Sequence, residues 1–441
     1  MESSGLAFAC SLTRFSSYSI GQADAARRPA LLYHRRMTDC TTQLIHHPYQ
    51  PPAGFEAPQP GIHKASTVFF PNVAALRARD WKHRSGYTYG LHGTPTTFLL
   101  EERIAALEGG LQCVLLPSGL AALANVSLAL LRSGDEVLLP DNSYGPNKAL
   151  AEGELAGWGI THQYYDPMDV ADLAARISER TRLVWLEAAG SLTLEFPDLV
   201  AQVRACRARG VVCALDNTWG AGLAFNPFDL DGQGLAVDIS AHALTKYPSG
   251  GGDVLMGSVT TRDEALHLKL KLSHMRIGFG VGANDVETLL RALPSLALRY
   301  AAQDRAARAL ARWLATQPQI AQVLHPALAG APGHEYWRQV CAAAEARGAG
   351  AAAGLFSVIV HERHAQAQVD AFCDALRLFR IGYSWGGPIS LVVPYELASA
   401  RSRGWPPHVA RGTLVRFSTG LEAVADLQAD LAQALAAALP A

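Results

Sequence analysis

The chain has 441 residues, with 38 Lys and Arg against 39 Asp and Glu, and 49% of its residues are hydrophobic. Charges so closely balanced give no basic field for nucleic acid, and this hydrophobic content is too high for a disordered chain. The longest weakly polar stretches are 348–360, which is too short to span a bilayer, and 115–131, which is interrupted by polar residues. We therefore expect a globular protein of two to three domains, with neither nucleic-acid nor membrane partners.

The seven cysteines are widely scattered and include no C-x-x-C pair. A disulfide framework or a zinc ribbon would show close, paired spacings, so we expect reduced thiols in a cytoplasmic protein. Residues 361–364 (HERH) lack the H-E-x-x-H spacing of a helical zinc site, and no metal site is predicted.

Residues 1–36 differ in composition from the sequence that follows. They hold five arginines, only two acidic residues and no clear periodicity. A targeting peptide is disfavoured, because the apolar run 6–12 is short and no basic residue precedes it. We expect either a disordered N-terminal extension here or a true start at Met37.

From about residue 99, predicted strands alternate with predicted helices. Leu100, Ile104 and Leu107 lie at helical spacing, and Gly109-Gly110 ends that helix. This alternation predicts a large, mainly parallel sheet covered by helices on both faces over residues 95–292. A long Ala/Arg/Leu helix, further strands and a C-terminal amphipathic helix predict a smaller α+β domain over residues 293–441. The strand candidates are 113–117, 137–139, 183–186, 211–215, 355–360, 389–393 and 413–417.

Three turns hold residues suited to chemistry, and two of them follow predicted strands. Ser118-Gly119 opens a helix, where a simple helix cap and a phosphate site are both possible roles. Asp216 ends another strand, as a turn residue or as a buried carboxylate for a ring nitrogen. Lys246 precedes a glycine run, and lysine is ordinarily solvated but becomes a nucleophile when desolvated. With Tyr144 as a stacking ring, this set predicts a pyridoxal phosphate site.

Further motifs extend this pattern: 89–96 (YGLHGTPT), 107–110 (LEGG), 216–218 (DNT), 245–247 (TKY) and 412–416 (GTLVR). With them, the chain from about residue 61 to its C-terminal helix resembles the cysteine/methionine-metabolism pyridoxal-phosphate enzymes. These include the cystathionine β-lyases and the γ-acting lyases and synthases. The resemblance implies the pyridoxal-phosphate transferase type I (aspartate aminotransferase-like) α/β fold and an amino-acid thioether substrate. It also implies that residues 37–94 form an arm contacting the neighbouring subunit of a homodimer or homotetramer.

The resemblance implies a role for each residue around the cofactor. Lys246 matches the lysine that holds the cofactor and later moves the Cα proton. Asp216 matches the partner of the pyridinium nitrogen, and Tyr144 matches the tyrosine that stacks on the ring and takes part in catalysis. The phosphate is expected at a set of backbone amides and hydroxyls, contributed by Ser118, Gly119, Leu120 and Thr245.

The resemblance also implies which residues meet the substrate. Arg416 matches the arginine that binds the α-carboxylate, whose two oxygens its guanidinium fork can grip together. Ser384 matches a residue beside that carboxylate. Tyr89 matches a tyrosine that reaches the cofactor and substrate in the neighbouring subunit's site, where it takes part in catalysis.

Two positions depart from the family pattern. Leu91 stands where the family commonly has an arginine that binds the phosphate of the neighbour's cofactor. Ala243 stands where a phosphate-binding serine is common. His92 and His242 lie beside these positions, and each is either a substitute or an ordinary packed or surface residue.

Two segments, 187–193 (EAAGSLT) and 383–387 (YSWGG), are more similar to the β-lyases than to the γ-acting members. The γ-acting members usually have Leu at the position of Trp385, and Asn at the position of Ser191. Ile389 departs from both groups, which usually have Glu there. We expect Trp385 and Ser191 to contact substrate, and the reaction to be β-elimination of L-cystathionine to homocysteine, pyruvate and ammonia. Simple core packing of Trp385, a γ-acting enzyme and a non-catalytic cofactor-binding homologue are the alternatives.

Overall fold

The computed structural model describes residues 40–47, 49, 51–55, 57–82, 86–342 and 350–440. The extension predicted over residues 1–36, with Met37, lies outside the described residues. The described part begins with α1 (Cys40–Ile45), whose Leu44 is buried in the main core. A short helix, α2 (Val73–Arg77), follows in an arm that leaves large apolar side chains exposed, including Phe55 and Phe69.

The larger domain is built on a seven-stranded sheet of order β1-β7-β6-β5-β4-β2-β3. Neighbouring strands run parallel except at β7, which is antiparallel to both β1 and β6. The central strands are nearly continuous buried runs, as expected for parallel strands covered on both faces. The strands are β1 (Gln112–Leu116), β2 (Glu136–Pro140), β3 (Thr161–Tyr165), β4 (Thr181–Glu187), β5 (Val212–Asp216), β6 (Ile239–His242) and β7 (Gly257–Thr261).

Helices of the larger domain begin where the sequence provides caps. The side chains of Thr94, Ser118, Asp169, Asp198 and Asp263 each accept a backbone N–H of the first helical turn, which satisfies one of the unpaired amides there. The helices are α3 (Pro95–Glu108), α4 (Gly119–Leu130), α5 (Gly145–Leu150), α6 (Val170–Arg176), α7 (Leu199–Ala208), α8 (Glu264–Ile277) and α9 (Ala283–Ala292).

The smaller domain has a five-stranded sheet of order β10-β11-β12-β9-β8, in which only β10 and β11 pair in parallel. Its own core includes Phe356, Phe372 and Phe417. The elements are α10 (Leu296–Leu314), β8 (Ile320–Leu324), α11 (His334–Trp337), β9 (Leu355–His361), α12 (Gln366–Ala375), β10 (Arg380–Ile381), β11 (Leu391–Tyr395), α13 (Leu397–Ala400), β12 (Gly412–Ser418) and α14 (Val424–Ala438).

The predicted fold class is confirmed: a mainly parallel sheet with helices forms the larger domain, and a smaller α+β domain follows it. All seven predicted strands occur within two residues of the expected bounds. Five further strands, β3, β6, β7, β8 and β10, were not predicted from the sequence. They are short or rich in polar and small residues, such as THQYY in β3 and GSVTT in β7. Within the described ranges, no helix has the length and apolar character needed to cross a membrane.

Candidate active site

A cavity of about 150 Å³ lies at the sheet edge where the parallel strands β4 and β5 end. Their last residues, Glu187 and Asp216, are paired in register, and both line the cavity. Ligands bind at this edge in open α/β sheets, because the loops after the strands meet there. Nine predicted site residues line the cavity: Ser118, Gly119, Leu120, Tyr144, Ser191, Asp216, Thr245, Lys246 and Trp385.

Asp216 is held in place by Thr218. The Thr218 hydroxyl donates to Asp216 Oδ1 at 2.6 Å and its backbone N–H donates to the same oxygen at 3.1 Å. The N–H of Ala243 donates to the Thr218 hydroxyl at 2.9 Å, which joins β5 to the turn before the lysine. Burial raises the pKa of Asp216, whereas the Thr218 hydrogen bonds and the charges of His242 and Lys246 lower it. A cationic ring nitrogen beside this carboxylate would favour its ionised form further.

Tyr144 follows β2 and is anchored by its backbone. Its N–H donates to Glu187 Oε2 at 2.8 Å. Burial raises the pKa of the Tyr144 phenol, and the charges of Asp216 and Glu187 add to this effect. Burial, together with the Asp216 charge, raises the pKa of Glu187 well above its ordinary value. Glu187 is therefore shifted toward its neutral form.

The helix start predicted to hold phosphate faces the cavity. Ser118 Oγ accepts the N–H of Ala121 at 3.0 Å, so this hydroxyl serves as a helix cap. A Cβ atom on Gly119 would lie 2.5 Å from the Cβ of Ala243, so only glycine allows this close approach. The first-turn backbone of Gly119 and Leu120 lines the cavity, and helix N-terminal amides are suited to a phosphate group.

The hydroxyl of Thr245 is already hydrogen-bonded. It accepts the N–H of Met256 at 3.0 Å and donates to the Met256 carbonyl at 3.2 Å. Thr245 lines the cavity, but a phosphate at this hydroxyl would compete with the Met256 carbonyl for its proton. Its predicted phosphate contact stays a prediction.

Lys246 is the reactive amine of the cavity. Its Nζ donates to Ser384 Oγ at 2.8 Å and lies 4.6 Å from the centre of the Trp385 ring. Burial and the nearby Arg416 charge lower the pKa of Lys246 to about 8, against the opposing effect of Asp216. An amine with this pKa is a much better nucleophile and base near neutral pH than an ordinary lysine.

Arg416, on β12, is not among the residues that line the cavity, but it contacts two that are, Ser191 and Trp385. It is buried, and its Nη1 donates to the Ser191 carbonyl at 3.2 Å. Its guanidinium lies 5.2 Å from the Trp385 ring and 5.1 Å from the Tyr395 ring. Trp385 therefore lies in cation–π range of both Lys246 and Arg416 and also packs against the main hydrophobic core, so its predicted substrate contact stays a prediction.

These residues fit pyridoxal phosphate. Lys246 offers an amine for the aldehyde, Asp216 a carboxylate for the ring nitrogen, and Tyr144 a ring for stacking, all around one cavity. Nε1 of Trp385 is buried and has no hydrogen-bond partner within the described part, so a polar atom remains for a bound group. No group of three or more His, Cys, Asp or Glu among the described residues is arranged to hold a metal ion.

Tyr89 does not join this cavity within its own chain. It is half-exposed and lines a second cavity of about 680 Å³, together with Leu91 and His92. His92 accepts or donates at Nδ1 to the Thr88 hydroxyl at 2.9 Å, and burial and the charge of Lys271 lower its pKa. The roles predicted for Tyr89 require a second chain and stay predictions.

Sequence reasoning missed two residues that organise the site, Glu187 and Thr218. Both stood inside motifs that were recognised, at the end of a predicted strand and in the DNT turn. The contact of Glu187 with Tyr144 joins residues 43 positions apart, whereas Thr218 contacts Asp216 only two residues away. The position at a strand end was the available signal, and it applies to both residues.

The chain matches the family model described as Cys/Met metabolism PLP-dependent enzyme over residues 41–436. It is 37% identical to a cystathionine beta-lyase of Bordetella avium, over 88% of this chain and 94% of that one. It is 35% identical to the cystathionine beta-lyase of Salmonella typhimurium, over 85% and 92%. The crystal structure of metB from Corynebacterium glutamicum superposes with a TM-score of 0.78 at 27% identity, over 90% of this chain and 97% of that one. The chain thus belongs to the family of Cys/Met metabolism PLP-dependent enzymes.

Proposed function

We propose that this protein is a cystathionine β-lyase, which binds pyridoxal phosphate and converts L-cystathionine and water to homocysteine, pyruvate and ammonia. The observation that carries the proposal is the arrangement around Lys246. Its amine has a pKa lowered to about 8, shares the cavity with Asp216 and is close enough to the buried Arg416 to be affected by its charge. Relatives that bear this name and match over most of their length support it further.

The residues of this chain would divide the work as follows. Arg416 binds the substrate α-carboxylate, and Tyr144 lies against the cofactor ring. Lys246 Nζ, held 2.8 Å from Ser384 Oγ, takes the proton from Cα. The bound cofactor supplies an electron sink for the resulting negative charge, with Asp216 at its ring nitrogen. The Cβ–S bond would then break, with sulfur keeping the electron pair and taking the proton that Lys246 removed from Cα, so that homocysteine leaves as a thiol. The three-carbon fragment would take up water to give pyruvate and ammonia.

The test is to incubate the purified protein with pyridoxal phosphate and L-cystathionine, and to identify the oxo acid and the thiol. We expect pyruvate with homocysteine, and none with Lys246→Ala. Appearance of 2-oxobutyrate with cysteine would keep the cofactor chemistry and replace β-elimination by γ-elimination. Uptake of pyridoxal phosphate by the wild-type protein without turnover would favour the non-catalytic cofactor-binding homologue, and failure to take it up would contradict the proposal.

We further propose that two copies of the chain share each active site, with Tyr89 reaching the partner's cavity. Tyr89 is half-exposed, and the arm that leads to it exposes Phe69 and Val73. Apolar side chains exposed together on one segment favour burial against a second subunit. Separately, we propose a cytoplasmic location, which the scattered cysteines led us to expect.

Complementation between inactive chains tests the shared site. Lys246→Ala and Tyr89→Ala are each expected to be inactive or strongly impaired as homo-oligomers. Co-expressed, they form mixed pairs in which one site combines an intact Lys246 with an intact Tyr89, so activity should reappear. No recovery in mixed oligomers that sediment as the wild type does would contradict sharing.

A further inference from the structure

A buried polar cluster lies at the inner end of helix α3, next to the cofactor cavity. Glu108 is its centre and is almost fully buried. Its Oε2 accepts from Ser240 Oγ at 2.6 Å and from Asn217 Nδ2 at 2.9 Å, and its Oε1 lies 2.8 Å from His242 Nδ1. A buried carboxylate with three such partners is well satisfied and fixed in orientation.

The cluster determines how the His242 ring is presented. A carboxylate only accepts hydrogen bonds, so His242 donates to Glu108 from Nδ1. The other ring nitrogen, Nε2, takes no part in the hydrogen bond to Glu108. Nε2 is buried and has no hydrogen-bond partner among the residues that the structure describes. His242 also lines the cofactor cavity together with Asp216, so Nε2 is the polar atom that the cluster leaves for that cavity.

Asp216 needs a neighbouring cation. Burial raises its pKa, which opposes the ionised form required beside a protonated ring nitrogen, and the His242 charge acts in the opposite direction. Lys246 acts in the same direction, but its charge changes when it bonds to an aldehyde and when it moves a proton. The titratable groups that face Asp216 and His242 are Glu108, Tyr144, Glu187 and Lys246.

We propose that Glu108 and His242 are positioning residues for Asp216: Glu108 orients the imidazolium of His242, which keeps Asp216 ionised for the ring nitrogen of pyridoxal phosphate. With two carboxylates, one imidazolium and one pyridinium, the set has no net charge. The inference rests on the proposed cofactor, and neither Glu108 nor His242 touches the reacting atoms. Their effect passes through the ionisation of Asp216.

The experiment measures the dissociation constant of pyridoxal phosphate from pH 5.5 to 9 for wild type and variants. His242→Asn keeps an amide near the Nδ1 position and removes the cation. Without the cation Asp216 takes up a proton at higher pH, so the acidic loss of affinity should move upward by about one pH unit. On this acidic limb the His242→Asn variant should bind the cofactor about tenfold more weakly than the wild type does, while affinity at pH 9 changes little.

Ser258→Ala is the matched control. Ser258 is the β7 residue paired with His242, is equally buried, and has a hydroxyl without a hydrogen-bond partner in the described ranges. It should leave the acidic limb in place. Unfolding of each cofactor-free variant verifies folding, and if His242→Asn does not fold, the neutral His242→Gln replaces it with the same expected shift.

A double-mutant cycle separates action through Asp216 from a structural role. In an Asp216→Asn background, His242→Asn should cost no further affinity, because no carboxylate remains to be ionised. Additive losses, or an unmoved acidic limb in a folded His242 variant, would overturn the inference while leaving the proposed function intact. A wild-type protein that does not bind the cofactor would overturn both.

Discussion

The two sides of the active site are built in different ways. On the side of the large sheet, Asp216, Glu187 and Tyr144 stand at or just after the ends of parallel strands. Tyr144 is hydrogen-bonded to Glu187, and Asp216 to Thr218. On the side of the small domain, Ser384 lies in a loop at φ +96°, and Arg416 lies on β12 against aromatic rings. Strand pairing thus fixes the proposed cofactor side, whereas one loop and one strand form the proposed substrate side. We therefore expect a substrate-side change that keeps the Arg416 charge to leave the cofactor side intact.

Replacement of Lys246 should have the largest effect, because this residue serves both sides. Lys246→Ala removes the amine that meets the cofactor and the base that meets the substrate. We expect turnover of L-cystathionine to fall by roughly 10⁴-fold or more. Steady-state kinetics check this, with Lys269→Ala, an exposed lysine on α8, as the control. Activity close to wild type in a folded Lys246→Ala protein would contradict the proposed chemistry.

Replacement of Arg416 should weaken substrate binding without weakening cofactor binding. Arg416→Lys keeps the positive charge but loses the fork that holds both carboxylate oxygens. We expect kcat/KM for L-cystathionine to fall roughly tenfold to a hundredfold, mainly through KM, because a charge-assisted hydrogen bond is lost. The dissociation constant of pyridoxal phosphate should stay unchanged. An equal loss of cofactor affinity would mean that the two sides are not independent.

The pH dependence of cofactor capture should report the Lys246 amine. Burial and Arg416 lower the pKa of Lys246 to about 8, so the amine is protonated and unreactive below that pH and free above it. The rate at which the cofactor-free protein takes up pyridoxal phosphate should rise about tenfold per pH unit below 8 and level off above it. Stopped-flow absorbance measures this rate. Arg416→Gln removes a cation and should move the midpoint to higher pH, whereas Arg416→Lys should not. A midpoint near that of an ordinary lysine would contradict the desolvated site.

The sequence was sufficient to identify the main residues of the cofactor side, but not the residues that contact them and hold them in place. Asp216 and Tyr144 were identified because each follows a predicted strand, and the turns after such strands meet at one edge of a parallel sheet. Lys246 was identified from the adjacent Thr245 and the glycine run that follows it, because the strand before it, β6, was not predicted. The contact between Lys246 and Ser384 joins residues 138 positions apart, and no local pattern predicts it. The same holds for Glu108 and His242, which are 134 positions apart.

Strands outside the site show the same limit. β3 was missed because it is an edge strand with a polar sequence, so it lacks both the apolar run and the alternation that predict a strand. Tyr89 shows a different limit. Its predicted role needs a second chain, and no property of one chain tests it.

The smallest effect concerns the backbone of the substrate side. Ser384 has φ +96°, a conformation that costs a residue with a side chain free energy and that glycine adopts readily. Ser384→Ala and Ser384→Gly both remove the hydroxyl that accepts from Lys246, so they differ only in this strain and in the flexibility of the unfolded chain. We expect the glycine variant to have the higher free energy of unfolding, by about 1 kcal/mol, in denaturant titrations of the cofactor-free protein. Their activities should be lowered alike, since each lacks the same hydrogen bond. If the alanine variant is the more stable, this loop is not strained at Ser384, and the strain assigned to the substrate side fails.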